Sequence, residues 1–177
     1  MATNSREATT DLQRLWAPWR SRFLSQRGTR RCFLCVAKAS SADRAHHVIA
    51  RAPHVFAILN RYPYNNGHLM IAPYRHIGSL ARLNTAEWTG LLRMSQHVTA
   101  LLKRTLRAQG FNLGFNLGRV AGAGVPGHLH LHLVPRWNGD TNFMPLLAET
   151  KVISQSLDEL YGLLTTQGRT TRHAALT

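Results

Sequence analysis

Acidic residues are scarce in this chain. Eight Asp and Glu stand against 22 Lys and Arg in 177 residues, a formal net charge of +14. That balance favours an anionic partner: a nucleotide, a polyphosphate, nucleic acid or acidic lipid. A Lys/Arg block of the nucleic-acid-tail type is missing, although Arg27 to Arg31 is locally dense. Cysteine is rarer still. The two present form one Cys-x-x-Cys pair, Cys32 and Cys35, which is not a secreted disulfide framework. No apolar run approaches a membrane span, and the N-terminus lacks the apolar core of a secretory signal. The protein is therefore expected to be soluble and cytoplasmic, without a membrane partner.

What is present suits one globular domain. The 44% hydrophobic content is ordinary, and 177 residues bury a good core. Residues 1–11 read as a disordered polar tail, 12–165 as a single domain, and 166–177 as a frayed basic tail. The domain opens with an arm, Leu12 to Arg20, whose Trp16 and Trp19 need burial on the body or on a second subunit.

The most regular stretch is Gly127-His128-Leu129-His130-Leu131-His132-Leu133-Val134-Pro135-Arg136. Its strict alternation reads as one β-strand, with leucines on one face and His128, His130 and His132 on the other, about 7 Å apart. Pro135, which cannot donate to a ladder, marks its end. Three readings are open: a histidine-rich solvent face, a metal site, or an imidazole nucleophile oriented by its neighbours. Cys32-x-x-Cys35 likewise reads as a redox pair, a zinc knuckle or two small core residues; a redox pair wants a helix N-terminus, which the surrounding stretch does not suggest.

The remaining elements follow from periodicity and caps. Val48–Ala50 and Val55–Leu59 read as strands, and Asn65-Asn66-Gly67 as the hairpin turn into a return strand, His68–Pro73. Asn84 with Glu87 forms a capping box that opens the one long helix, which Gly110 closes. Residues 111–118 alternate as a strand. A loop holding Gly118, Gly122, Gly124 and Gly127 then leads to the histidines, and its backbone N–H groups can surround a phosphate. Ser156 with Glu159 starts a short helix through Leu164. The order predicts an α+β fold: an antiparallel sheet with its helices on one side.

With those residues in view, the chain resembles the histidine triad (HIT) superfamily of nucleotide hydrolases and transferases. The resemblance rests on His128-Leu-His130-Leu-His132-Leu-Val134, the strand ending at Asn60, the Gly67-His68 return, and Asn116-x-Gly118. It covers residues from about 32 to 138. Leu15 to Arg20 and Pro135 to Phe143 are most similar to the bacterial diadenosine tetraphosphate phosphorylase branch.

The resemblance implies an antiparallel HIT-like sheet and a reaction through a covalent His130–AMP intermediate. It makes His130 the nucleophile, with His128 and His132 as its catalytic companions and His132 the donor to a phosphate or leaving-group oxygen. Asn60 falls where the family binds ribose. Asn116, Gly122, Gly124 and Gly127 fall where the phosphates lie, and Phe56, Leu59 and Phe33 are candidates for the adenine slot. It also implies structural zinc on Cys32, Cys35, His76 and His128, and a homodimer. His46, His47, His54, His68, His97 and His173 receive no role.

Where many hydrolytic members carry glutamine or serine before the triad, this chain has Gly124-Val125-Pro126-Gly127. Backbone donors must replace that side chain, which fits inorganic phosphate rather than water as the acceptor. The competing readings are an adenylyl-compound hydrolase, a non-catalytic zinc and nucleotide binder, and repair of adenylylated nucleic acid. The last ranks lower because no added nucleic-acid module is present.

Overall fold

A computed structural model describes residues 31–141 and 153–169. The arm at 12–20, the tail at 1–11 and residues 170–177 lie outside the described residues. Helix α1 is Phe33–Ala39 and α2 is Asp43–His46; strands β1 (Val48–Arg51), β2 (Val55–Leu59) and β3 (Leu69–Pro73) follow. After a 3-10 turn come α3 (Thr85–Leu106), β4 (Gly110–Phe115), β5 (Leu131–Arg136) and α4 (Leu157–Arg169). The five strands form one antiparallel sheet in the order β1-β2-β3-β5-β4. Among the described residues, no helix is long and apolar enough to cross a membrane.

Both faces of the sheet are covered, which corrects the expectation of helices on one side only. Val55, Ala57, Leu59, Leu69, Ile71, Leu131 and Leu133 pack against Leu91, Met94, Val98, Leu101 and Leu102 of α3 and Leu160 and Leu164 of α4. The alternate residues Phe56, Ile58, Met70 and Ala72 pack against Leu34 and Ala37 of α1. The physical reason is visible in β2 and β3, which are buried along their whole length. A strand apolar on both faces demands two layers.

The Asn65-Asn66-Gly67 turn forms as read. Gly67 has φ +75°, a left-handed conformation that glycine adopts without strain. The C-terminal helix has its Ser156–Glu159 box, with the Ser156 N–H donating to Glu159 Oε2 (2.9 Å), and it extends to Arg169 rather than stopping at Leu164.

Three boundaries differ from expectation. The long helix ends at Leu106, capped by Arg107 in the left-handed region (φ 52°); Gly110 instead opens β4. The Gln109 N–H donates to Arg136 O (2.9 Å) and the Trp137 indole N–H to Leu106 O (3.1 Å), so sheet pairing claims the chain before another helical turn can form. The histidine strand begins at Leu131, not Gly127. Pro135 stays inside it, because pairing with β3 stops at Leu133 and asks for no donor at position 135. Finally, α1 was unforeseen. Its C-terminal carbonyls, Ala37 and Lys38 together with Ser40, accept from the Arg51 guanidinium at 2.9–3.2 Å, and Arg51 is fixed in turn by Asp43.

The start of α3 yields a prediction. The Asn84 side chain accepts from the Glu87 N–H (2.9 Å) while Glu87 accepts from the Asn84 N–H (3.0 Å) and from Arg75 at 2.6–2.7 Å. Arg75 hydrogen bonding holds the buried Glu87 carboxyl below its usual range. A lowered native pKa contributes stability above the ordinary glutamate range, lost as pH falls through the native value. Glu87→Ala should cost about 1–2 kcal/mol at pH 7 by urea denaturation, and the deficit should shrink on acidification. An equal deficit at all pH values would refute this assignment.

Candidate active site and metal centre

The residues that precede β5 and its first turn build the site. His132 pairs with Met70, on the sheet face away from α3, and the His130 ring lies beside it, ring centroids 4.9 Å apart. His128 is 0% exposed and His130 6%. His130 Nδ1 lies 2.8 Å from the His128 carbonyl oxygen. A carbonyl only accepts, so Nδ1 carries the hydrogen and Nε2 of the neutral ring carries the lone pair. Burial pushes the His130 pKa below its ordinary value, partly offset by that hydrogen bond, which keeps the ring neutral near pH 7. A neutral imidazole with a free Nε2 lone pair is a nucleophile.

His132 is oriented by the same logic from the other side. The Tyr64 backbone N–H donates to His68 Nδ1 (3.0 Å), so His68 holds its proton on Nε2 and donates to His132 Nδ1 at 2.9 Å. The neutral His132 ring therefore carries its own proton on Nε2. Burial, followed by repulsion from His132 and His130, pushes the His68 pKa down to about 3, so it acts as a fixed neutral link. His68 had been given no role. Its signal was parity: Leu69 pairs with Leu133, so position 68 falls on the histidine face beside His132.

His128 faces elsewhere. Its Nδ1 lies 3.3 Å from Cys32 Sγ and 3.5 Å from Cys35 Sγ, while Nε2 lies 2.9 Å from the Pro73 carbonyl. Both of its ring nitrogens are engaged away from His130, and its backbone carbonyl supplies the link to that ring. His76 Nδ1 sits 3.2 Å from Cys35 Sγ, and one ligand atom from each of Cys32, Cys35, His76 and His128 lies within 4.8 Å of the others. Tetrahedral arms of about 2.3 Å to sulfur and 2.1 Å to nitrogen put the two atoms about 3.6 Å apart. The donor set and spacing fit a tetrahedral metal. Burial pushes the Cys32 thiol up and, with the neighbouring charges, the His128 pKa down to about 4. Cys32 is the N-cap of α1, so the Cys-x-x-Cys pair does sit at a helix N-terminus.

The other forecast residues divide. Asn60 is buried. Its Oδ1 accepts from the Tyr62 N–H (2.9 Å), and its Nδ2 lies 3.3 Å from His68 Nδ1. Asn116 lies just past the Phe115–Leu131 pair, level with His130 in that register. Gly127 faces His76, where a Cβ would come within 3.1 Å of Nε2. The expectation for Gly122 is corrected to a turn role: it has φ +84°, and its N–H and that of Ala123 are bonded within the loop. Gly124 is exposed in the same loop. Phe56, 0% exposed and stacked on Tyr74, and Leu59, 3% exposed in the α3-side core, present no surface to a base; their adenine-slot roles are withdrawn. Phe33 stays exposed on α1.

Comparison with known proteins agrees with this geometry. The HIT domain family model matches residues 41–139. A Mycobacterium tuberculosis protein named AP-4-A phosphorylase is 40% identical over 164 residues, covering 88% of this chain and 84% of the relative. A Schizosaccharomyces pombe bis(5'-nucleosyl)-tetraphosphatase [asymmetrical] is 32% identical over 84 residues, 48% of this chain and 46% of that protein. Among solved structures, a Zn-bound histidine triad family protein from Mycobacterium smegmatis aligns with TM-score 0.64 and 25% identity, over 81% of this chain and 96% of its own. With its histidine row, sheet order and 40% identical relative, this chain belongs to the HIT family.

Proposed function

We propose that the chain cleaves diadenosine polyphosphates, such as diadenosine tetraphosphate, by adenylyl transfer to His130 and then to inorganic phosphate. The observation that carries this reading is the His130 hydrogen bond to the His128 carbonyl, which leaves Nε2 as the nucleophilic atom. In the first step Nε2 attacks the α-phosphorus, and the P–O bond to the leaving group breaks with its electron pair going to that oxygen. ATP departs as the anion, its new terminal oxygen accepting a hydrogen bond from the His132 Nε2–H. In the second, a phosphate oxygen attacks the same phosphorus, the P–N bond breaks, and ADP leaves. Asn60 offers its remaining amide positions to the ribose hydroxyls, and Asn116 with the Gly124–Gly127 backbone lies on the phosphate side. The similarity to a protein named AP-4-A phosphorylase supports phosphate as acceptor.

The test supplies diadenosine tetraphosphate with and without phosphate and resolves the nucleotides. ADP plus ATP, dependent on phosphate, is the expected result; AMP plus ATP without phosphate would assign a hydrolase. His130→Ala should reduce turnover by about 10³-fold or more while retaining nucleotide binding, as loss of a nucleophile does. Unchanged turnover in that variant would overturn the covalent route, and no turnover of any adenylyl compound by the wild type would leave a non-catalytic binder.

The metal site is read as structural zinc on Cys32, Cys35, His76 and His128, which when bound ties the start of α1 to the residue that orients the nucleophile. It takes no part in the chemical steps. The purified protein should hold about one zinc per chain, release protons as apo-protein takes it up, and melt at lower temperature after chelation. Metal-free protein with an unchanged melting curve would refute the site.

A homodimer is the expected assembly. Among the described residues β4 is an edge strand, and Trp88 and Leu92 of α3, Leu113 of β4 and Leu117 just beyond it expose apolar surface. Light scattering should give twice the chain mass, and Leu113→Lys should shift it toward the monomer. A monomeric wild type at micromolar concentration would exclude this assembly.

A further inference from the structure

Beyond His132, the histidine face continues as a trough. The next residue on that side of β5 is Val134, and the one after it is Arg136. The facing positions on β4 are Gly114, opposite His132, and Asn112, opposite Val134. A Cβ built on Gly114 meets nothing within 4 Å, so space beside His132 is open. At the far end lies a cavity of about 260 Å³ walled by Tyr64, Asn65, Asn112, Val134 and Arg136. That is smaller than the roughly 300–1,000 Å³ of sites for drug-sized ligands, so it suits one flat fragment rather than a whole dinucleotide.

The lining has a specific chemistry. The Tyr64 ring lies 5.8 Å from the His132 ring at an interplanar angle of 25°, so the cavity begins where the histidine row ends. Arg136 is held by Asp140 through Nη2 (2.9 Å) and by the Asn112 Oδ1 acceptor (2.9 Å), which fixes a half-exposed guanidinium plane in the wall. Asp140 also balances its charge. A phenol ring and a fixed guanidinium around one small space offer stacking. Asn65 Nδ2 is spent on Pro135 O (3.1 Å) and Asp140 Oδ2 (2.9 Å), and Asn112 Oδ1 on Arg136, so Asn65 Oδ1 and the Asn112 amide N–H groups are what the wall offers a nucleobase for hydrogen bonding. From His130 to Val134 is four residues, roughly 13 Å. The linked phosphates and ribose of a leaving nucleotide reach across such a span.

We infer that the trough from His132 over Gly114 into the Tyr64–Arg136 cavity holds the leaving nucleotide, with its base between Tyr64 and Arg136. The inference rests on the reading of the chain as a dinucleoside polyphosphate enzyme, and it adds a site for the half of the substrate that is not transferred. Tyr64 and Arg136 then select substrates that carry a second base, and Gly114 keeps the path clear for the polyphosphate.

The test compares two substrates in two variants. Diadenosine tetraphosphate fills the trough, whereas adenosine 5′-phosphoramidate has a leaving group too small to enter it. Gly114→Val adds side-chain bulk in open space on a strand, and Asn112→Leu alters the cavity wall at an exposed position. Each should raise KM for diadenosine tetraphosphate roughly tenfold and leave the phosphoramidate kinetics within about twofold, a loss confined to leaving-group binding. Thermal melts identical to the wild type qualify each variant, and either one suffices. Equal losses on both substrates, or no loss on either, would overturn the leaving-nucleotide site while the proposed function stands. A wild type that cleaves the phosphoramidate but no dinucleoside polyphosphate would overturn both.

Discussion

The hydrogen bond from the His130 Nδ1–H to the His128 carbonyl sets the chemistry of the whole face. It fixes the tautomer of the central ring, and so leaves the lone pair on Nε2 rather than Nδ1. A bond to a backbone carbonyl is a rigid choice, because the acceptor moves only if residue 128 moves. The His128 ring is itself immobilised, with one nitrogen at the cysteine sulfurs and the other at the Pro73 carbonyl. The Leu129 N–H, on the next residue, is held by Ile77 O at 2.6 Å. Three independent anchors thus converge on the peptide unit that aims the nucleophile, as preorganised catalysis requires.

The metal-binding residues and the histidine row are consequently one construction. Gly78 makes this plain: a Cβ there would sit 2.5 Å from Pro126 O, so the segment carrying His76 runs directly against the loop that leads to His128. Glycine at 78 lets the two backbones touch, and glycine at 127 leaves room for the His76 ring. A metal held by Cys32, Cys35, His76 and His128 would clamp that contact.

Much of this was legible in the sequence where the signal is local. The Asn84–Glu87 and Ser156–Glu159 capping boxes and the Asn-Gly turn each declare themselves within four residues, and each forms; of the period-two histidines only His132 lies in the strand, which starts at Leu131. The four metal-binding candidates came from resemblance, and they do come together. What stayed hidden depends on distant partners. Helix α1 has no side-chain cap of its own and ends on carbonyls satisfied by Arg51 of β1. The stop at Leu106 is set by pairing with β5, which outweighs the glycine at 110 as a helix terminator. Phe56 and Leu59 were candidates for a base slot through the resemblance alone, but β2 is covered on both faces and they serve two different cores. His68 carries no mark beyond its parity, and its meaning appears only once Tyr64 supplies the N–H that fixes its tautomer.

Electrostatics binds these parts together. A chain of net charge +14 draws anions toward its surface, yet the histidines at the centre of the site are kept neutral by burial. The two facts are complementary. Protonated imidazoles side by side would repel one another, and a protonated His130 would have no lone pair to offer. His130 and His132 rings lie 4.9 Å apart, and His68 and His132 rings 5.1 Å, so one added charge there raises the cost of the next. Long-range attraction is thereby left to exposed arginines and lysines, which need no fixed geometry to steer a polyphosphate. The short-range chemistry falls to neutral rings whose protons are placed one by one, by the Tyr64 N–H on one side and the His128 carbonyl on the other. Attraction of anions and the imidazole lone pair therefore never compete for the same group, and that separation lets a strongly basic protein carry neutral histidines at its centre.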